Sequence, residues 1–292
     1  MSRILHLVPG LDSESSGISS AASKIAKWQN AEMLDLHDAS DASIASAEEV
    51  WVHSTWTPSI WNACRLVEKN ARPLVRMVHG NLDPTRLAFH SWKKTLAKPF
   101  ERRSLRRATR IVATCATEKT WIESFLGGYC PTIEILDLRQ FDWGPEIPTT
   151  EKPNVDDYSR ESLHVLYMGR KHPLKGIGFL EEAVRIANES GGRKISLRIE
   201  SEAFGPTKEA AFAWSDVVCL PSLSENFGIV VAEALARGKP VVTTDGAPAW
   251  ADEPRTAPDG SVRLVYIEGY REAEPRVRVR MLQDALADFA RA

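Results

Sequence analysis

The sequence predicts an α/β chain of two Rossmann-like, doubly wound domains facing across a cleft. Three observations predict it. Short apolar runs alternate with helix-length segments along most of the chain. The alternation stops at a polar, proline-containing stretch, Gly144 to Asp157, and then restarts. At 292 residues the chain is long enough for two cores. The expected domains are residues 1–145 and 158–292, with the closing helix either in the second domain or packed back on the first. Clefts between such domains are frequent ligand sites.

In the first half, Ile4–Val8 reads as a strand and Gly17 to Lys27 as a helix. Glu49–His53 and Pro73–Gly80 read as strands, with a helix from Ser59 to Lys69 between them. Trp92 to Arg107 predicts a long basic helix, Thr109–Thr114 a strand, Glu118–Phe125 a helix and Thr132–Leu136 a short strand. In the second half, strands at Leu163–Met168, Ile195–Ile199, Asp216–Leu220, Val241–Thr244 and Val262–Ile267 alternate with helices at Gly176–Asn188, Ala210–Trp214 and Arg276–Arg291. A further small-residue helix follows Gly228 and stops at Gly238. This order places parallel sheets under helices on both faces.

Composition narrows the function classes. A net charge of -2 gives no global attraction to nucleic acid, and no nucleic-acid partner is expected. The apolar N-terminal run is too short for a signal peptide, and no apolar run approaches a membrane span, so a cytoplasmic site of action is expected. Cys64, Cys115, Cys130 and Cys219 lack C-x-x-C spacing and read as reduced thiols; there is no H-E-x-x-H.

Ser224 to Ala236 is the richest stretch. Glu225 and Glu233 bracket Asn226, Phe227, Gly228, Ile229 and a helical run. A strand, a glycine turn and a helix start leave backbone N–H donors for an anionic group. Carboxylates on either side suit a polyhydroxylated ligand, because ionised carboxylates accept from hydroxyls. A second constellation, Gly169-Arg170-Lys171-His172-Pro173-Leu174-Lys175-Gly176, sits where a strand ends and a helix begins. Arg170 and Lys175 there supply the fixed cations a diphosphate needs. Gly176-Ile177-Gly178 has Glu181 where a third glycine would complete a dinucleotide fingerprint, so a nicotinamide site is not expected.

These motifs, with Gly238-Lys239-Pro240-Val241-Val242, resemble the retaining glycosyltransferases of family 4, the group 1 glycosyltransferases. The first-domain run His79-Gly80-Asn81-Leu82-Asp83-Pro84 and the basic segment through Ala108 resemble members that build bacterial cell-surface polysaccharides. The resemblance covers roughly residues 1 to 250 and implies a GT-B fold holding a nucleotide-diphosphate sugar mainly on the second domain. It implies that Glu233 accepts from ribose hydroxyls, Glu225 holds the donor sugar, and Arg170 and Lys175 neutralise the leaving diphosphate. The N–H groups of Gly228 and Ile229 would cap its oxygens, His79 would approach the sugar from the first domain, and Gly17 would allow close backbone approach. It further implies transfer with retention to a saccharide or lipid-linked acceptor, in bacterial lipopolysaccharide, O-antigen or exopolysaccharide assembly. No Asp-x-Asp occurs in the chain, so no metal and no other cofactor is expected.

The basic segment 92–110 suits an anionic membrane surface, implying peripheral attachment to the inner face of the cytoplasmic membrane. The chain between the strands at Ile195 and Val217 is shorter than in the family, predicting a reduced C-terminal domain. The alternatives are a non-catalytic sugar-nucleotide-binding protein of the same fold and a nucleotide-sugar epimerase or phosphorylase.

Overall fold

The structure, a computed structural model, describes residues 3–11, 17–89, 91–145, 161–201 and 203–290. Most of the segment read as a linker therefore lies outside the described residues. The chain divides into two compact units, residues 1–141 and 142–292.

The first unit runs β1 (Ile4–Val8), α1 (Gly17–Gln29), β2 (Glu32–Asp35), α2 (Asp41–Ala45), β3 (Glu49–His53), α3 (Pro58–Lys69), β4 (Leu74–Met77), α4 (Pro84–Ala88), α5 (Ser91–Arg106), β5 (Arg110–Ala113), α6 (Ala116–Leu126) and β6 (Thr132–Ile135). Its strands form one parallel sheet in the order β2-β1-β3-β4-β5-β6. From β1 the chain steps one way to β2 and then back past β1 to β3. Right-handed crossovers put α1 on the face opposite the later helices, and the reversal opens a crevice at the carboxyl ends of β1 and β3. Local chemistry fixes the helix starts. Thr57 caps α3 by accepting from Ile60 N–H at 3.3 Å, with Pro58 in the first turn. The Asp/Ala/Ser-rich stretch after β2 is structured: Ser40 and Ser43 make a reciprocal capping box that starts α2.

Helix α5 is held to the sheet by a buried ion pair. Arg76 on β4 lies 3.0 Å from Glu101 on α5, and neither side chain is exposed to solvent. Glu101 also accepts from Trp56 N–H at 2.8 Å and Trp61 Nε1–H at 2.7 Å, while Arg76 donates to Ser104 Oγ at 2.7 Å and the Ser54 carbonyl at 2.9 Å. The single acid in the basic helix is thus its internal anchor.

The second unit runs β7 (Ser162–Met168), α7 (Ile177–Glu189), β8 (Lys194–Glu200), α8 (Gly205–Trp214), β9 (Val217–Leu220), α9 (Ile229–Ala236), β10 (Val241–Thr244), β11 (Leu264–Ile267) and α10 (Pro275–Ala290). Its parallel sheet has the order β11-β10-β9-β7-β8. The reversal falls between β7 and β9. Helix α8 starts five residues before the sequence reading, because Pro206 fits a first turn, where no intrahelical N–H is needed. Only this helix separates β8 from β9. Helix α10 packs on α7, with Arg278 over the Phe179 ring at 5.3 Å.

Candidate active site

In the second unit, two predicted constellations meet at the sheet's reversal point. The loop after β7 carries Arg170 and Lys175; the loop after β9 carries Glu225 to Gly228. Leu223 N–H donates to the Leu174 carbonyl at 2.8 Å, tying one loop to the other. Gly176 makes this approach feasible. Its φ is +67°, and a Cβ there would lie 2.0 Å from the Pro221 carbonyl oxygen.

Lys175 Nζ pairs with Glu225 Oε1, and both side chains are mostly buried. Ser222 Oγ lies 3.5 Å from the same carboxylate, and Glu225 N–H donates to the Gly246 carbonyl at 2.7 Å. Tyr167, at the end of β7, was not singled out in the sequence. Its hydroxyl donates to the Arg170 carbonyl at 3.2 Å. Burial pushes its pKa up, the Glu225 charge adds to this and Arg170 opposes it. The Arg170 side chain itself is exposed.

Gly228 caps α9 with φ +70° and offers no side-chain cap, so the first-turn N–H groups at Ile229 depend on other acceptors. Phe227, the next residue of the motif after Asn226, is buried. Its ring is buried between Trp143 and Trp250, at 5.7 and 5.1 Å, and its carbonyl accepts from Trp250 Nε1. The ring is a core anchor. Asn226 is half-buried beside it.

Glu233 projects from α9 and pairs with Lys208 of α8. Burial raises its pKa, and the Lys208 charge opposes that rise. One turn on, Arg237 pairs with Glu209 at 2.5 Å and donates to the Trp143 carbonyl at 3.0 Å. Sequence reasoning missed Lys208 and Tyr167; a lysine 25 residues from its partner leaves no local signal.

In the first unit, His79 lies two residues beyond β4 with φ +52°, a left-handed conformation for a non-glycine residue. Its Nε2 lies 2.8 Å from His53 Nδ1, and burial pushes its pKa down to about 3. The following turn is fixed by Glu118 at the start of α6. This buried carboxylate accepts from Gly80 N–H at 2.5 Å, Thr114 N–H at 2.7 Å and Thr114 Oγ at 2.8 Å. Burial raises the Glu118 pKa, and the bonds from Thr114 and Gly80 oppose the rise. Gly17 is the exposed first residue of α1.

Helix α5 presents Trp92, Leu96 and Phe100 to solvent at four-residue spacing, hence along one stripe. Several cations of the helix, and Arg107 just after it, are engaged within the unit. Arg102 donates to the Phe125 carbonyl at 2.7 Å, Arg106 to the Leu126 carbonyl at 2.6 Å, and Arg107 pairs with Glu68 at 2.6 Å. Arg110 lies on β5, not on the helix, and pairs with Glu49. Lys93, Lys98 and Arg103 make no ion pair among the described residues. Among those residues, too, no group of three His, Cys, Asp or Glu side chains is placed to hold a metal, and no helix is long and apolar enough to cross a membrane.

Two parallel α/β units of this kind define the GT-B fold, and solved structures agree. HepE from Anabaena, in complex with UDP, aligns with a TM-score of 0.64 over 98% of this chain and 94% of its own, at 15% identity. The family model for glycosyl transferases group 1 matches residues 203–254, and that for the glycosyl transferase 4-like domain matches residues 46–134. A D-inositol 3-phosphate glycosyltransferase of Pseudarthrobacter chlorophenolicus is 27% identical over 66% of this chain and 54% of its own length. A phosphatidyl-myo-inositol mannosyltransferase of Mycolicibacterium smegmatis is 31% identical over 32% of this chain and 31% of its own. The chain is similar to the group 1 glycosyltransferases over residues 203–254 and to the glycosyl transferase 4-like domain over residues 46–134. It spans about half the length, or less, of these curated relatives.

Proposed function

We propose that this chain is a retaining glycosyltransferase that moves a sugar from a nucleotide-diphosphate donor to a saccharide or lipid-linked acceptor. The observation that carries the reading is the meeting of Lys175 and Glu225 beside the uncapped start of α9. A cation, a carboxylate and free backbone donors at one reversal point match a ligand that is anionic at one end and hydroxylated at the other. Lys175 and Arg170 neutralise the diphosphate, the N–H groups at Gly228 and Ile229 receive its oxygens, Glu225 holds the sugar hydroxyls and Glu233 the ribose. In the first unit, His79 is assigned to a sugar hydroxyl.

In the reaction the bond from the anomeric carbon to the diphosphate oxygen breaks, and a bond to the acceptor oxygen forms on the same face. The acceptor proton passes to the departing diphosphate. The chain's part is positioning and charge stabilisation without a metal; full turnover in chelator is the expected result, and rescue only by a divalent ion refutes that part.

The exposed stripe of α5, with Lys93, Lys98 and Arg103, is proposed to lie on an anionic membrane surface on the cytoplasmic side. The first-domain resemblance supports work in cell-surface polysaccharide assembly. Lys175→Ala removes a charge-assisted contact of about 1.5–3 kcal/mol, so nucleotide affinity or turnover falls about 10- to 100-fold. Unchanged affinity and turnover remove Lys175 from the site. Thermal stabilisation by a panel of nucleoside diphosphates identifies the base.

A further inference from the structure

The buried imidazoles of the first unit form one hydrogen-bonded row that ends on an amide. Gln29, the last residue of α1, places Oε1 2.7 Å from His6 Nε2. His6 Nδ1 lies 2.9 Å from His53 Nε2, and His53 Nδ1 lies 2.8 Å from His79 Nε2. The three rings sit on β1, at the end of β3 and beyond β4, so the row crosses three adjacent strands toward their carboxyl ends. Trp51 stacks on His6 at 5.1 Å and closes its flank.

Burial disfavours a charge anywhere in the row. It lowers the pKa of His6 to about 4 and of His79 to about 3; His53 is lowered as well, by burial first and then by His79, His6 and Arg76. A neutral imidazole has one N–H and one lone pair. Three neutral rings sharing these contacts therefore allow two patterns only: every N–H points toward Gln29, or every N–H points away. An amide oxygen accepts and cannot donate. His6 then donates from Nε2, His53 donates from Nε2 to His6 Nδ1, and His79 donates from Nε2 to His53 Nδ1. The remaining nitrogen, His79 Nδ1, keeps its lone pair.

We propose that Gln29 is a positioning residue that sets the tautomer of His79 through His6 and His53, so that His79 offers an acceptor, not an N–H, to a sugar hydroxyl. This rests on the assignment of His79 to a sugar hydroxyl made above. It assigns a role to a residue 50 positions away in sequence, with no proton crossing the row and no charge formed on it.

The test is the protonation pattern of each ring in the full chain, read by NMR on protein labelled with 15N-histidine. Wild type and Gln29→Glu, which also presents an acceptor, are expected to carry the His79 proton on Nε2. Gln29→Lys presents only donors and is expected to reverse all three rings, with a tenfold or greater loss of kcat/KM that Gln29→Glu does not show. Gln29 is only half-buried, so both side chains can be accommodated. A His79 proton on Nδ1 in wild type overturns the proposal. So does a His79 tautomer that stays fixed in Gln29→Lys while His6 reverses. If all rings reverse and turnover is unchanged, the relay stands and it is the assignment of His79 to the sugar that falls.

Discussion

Replacing Gly176 by alanine tests whether the two loops of the second unit must touch to make a site. The added Cβ meets two separate penalties. One is conformational: at φ +67° an alanine costs about 1–2 kcal/mol. The other is steric: 2.0 Å from the Pro221 oxygen is far inside contact distance, so that carbonyl must retreat by roughly 1 Å or more. Gly238, just past α9, separates the two. Its φ is +68°, yet a Cβ there meets nothing within 4 Å. Both variants also stiffen the unfolded chain by a similar amount, which cancels between them. The expected result is that Gly238→Ala lowers stability by about 1 kcal/mol, whereas Gly176→Ala lowers it by about 3 kcal/mol or more. Moving Pro221 also disturbs the bond from Leu223 N–H to the Leu174 carbonyl, so nucleoside diphosphate affinity should fall in Gly176→Ala and hold in Gly238→Ala. Urea unfolding and calorimetric titration read the two effects. Equal midpoints and equal affinities for the pair would refute the argument that this approach builds the site.

Glu101→Leu leaves Arg76 charged and unpaired in the interior, so stability should fall by about 3–5 kcal/mol, while the double variant with Arg76→Met recovers much of it; urea midpoints decide. Neutralising Lys93, Lys98 and Arg103 to glutamine should weaken sedimentation with phosphatidylglycerol vesicles by about 100-fold, at ~1 kcal/mol per cation, and Trp92→Ser with Phe100→Ser should weaken it further. Equal binding to uncharged vesicles counts against an electrostatic surface. The histidine row sets a pH dependence. Its folded pKa values lie below the unfolded value near 6.5, so the unfolded chain binds protons first; stability is complete above about pH 6.5 and is lost as pH falls toward 4 and then 3. His6→Asn should flatten that loss between pH 6.5 and 4, and a slope identical to wild type would contradict it.

Much of the fold was legible because the strands are buried on both faces and read as apolar runs, as in Val165 to Met168 and Val217 to Leu220. The elements that escaped are short or polar: β2 opens with Glu32 and ends with Asp35, and α2 and α4 span five residues each. Periodicity cannot register so few residues. At the candidate site, the residue types around Gly176 and Gly228 were visible because glycine and charge recur at loop starts. Their pairing was not. Lys175 and Glu225 lie 50 positions apart, and Lys208 and Glu233 lie 25 apart. Such partners are set by strand order, which a single sequence does not print. The histidine row is hidden for the same reason: His6, His53 and His79 become neighbours only through the register of three strands.

Glu118 gives the first unit an evolutionary constraint. One carboxylate with two oxygens answers three donors drawn from Gly80 and Thr114. Glutamine has one acceptor oxygen, and aspartate is a methylene shorter, so neither can serve all three. Two of these donors are backbone N–H groups that any residue but proline supplies, so only the Thr114 hydroxyl ties a second side chain to position 118. In diverging copies of this chain, loss of the carboxylate at 118 should accompany loss of the hydroxyl at 114.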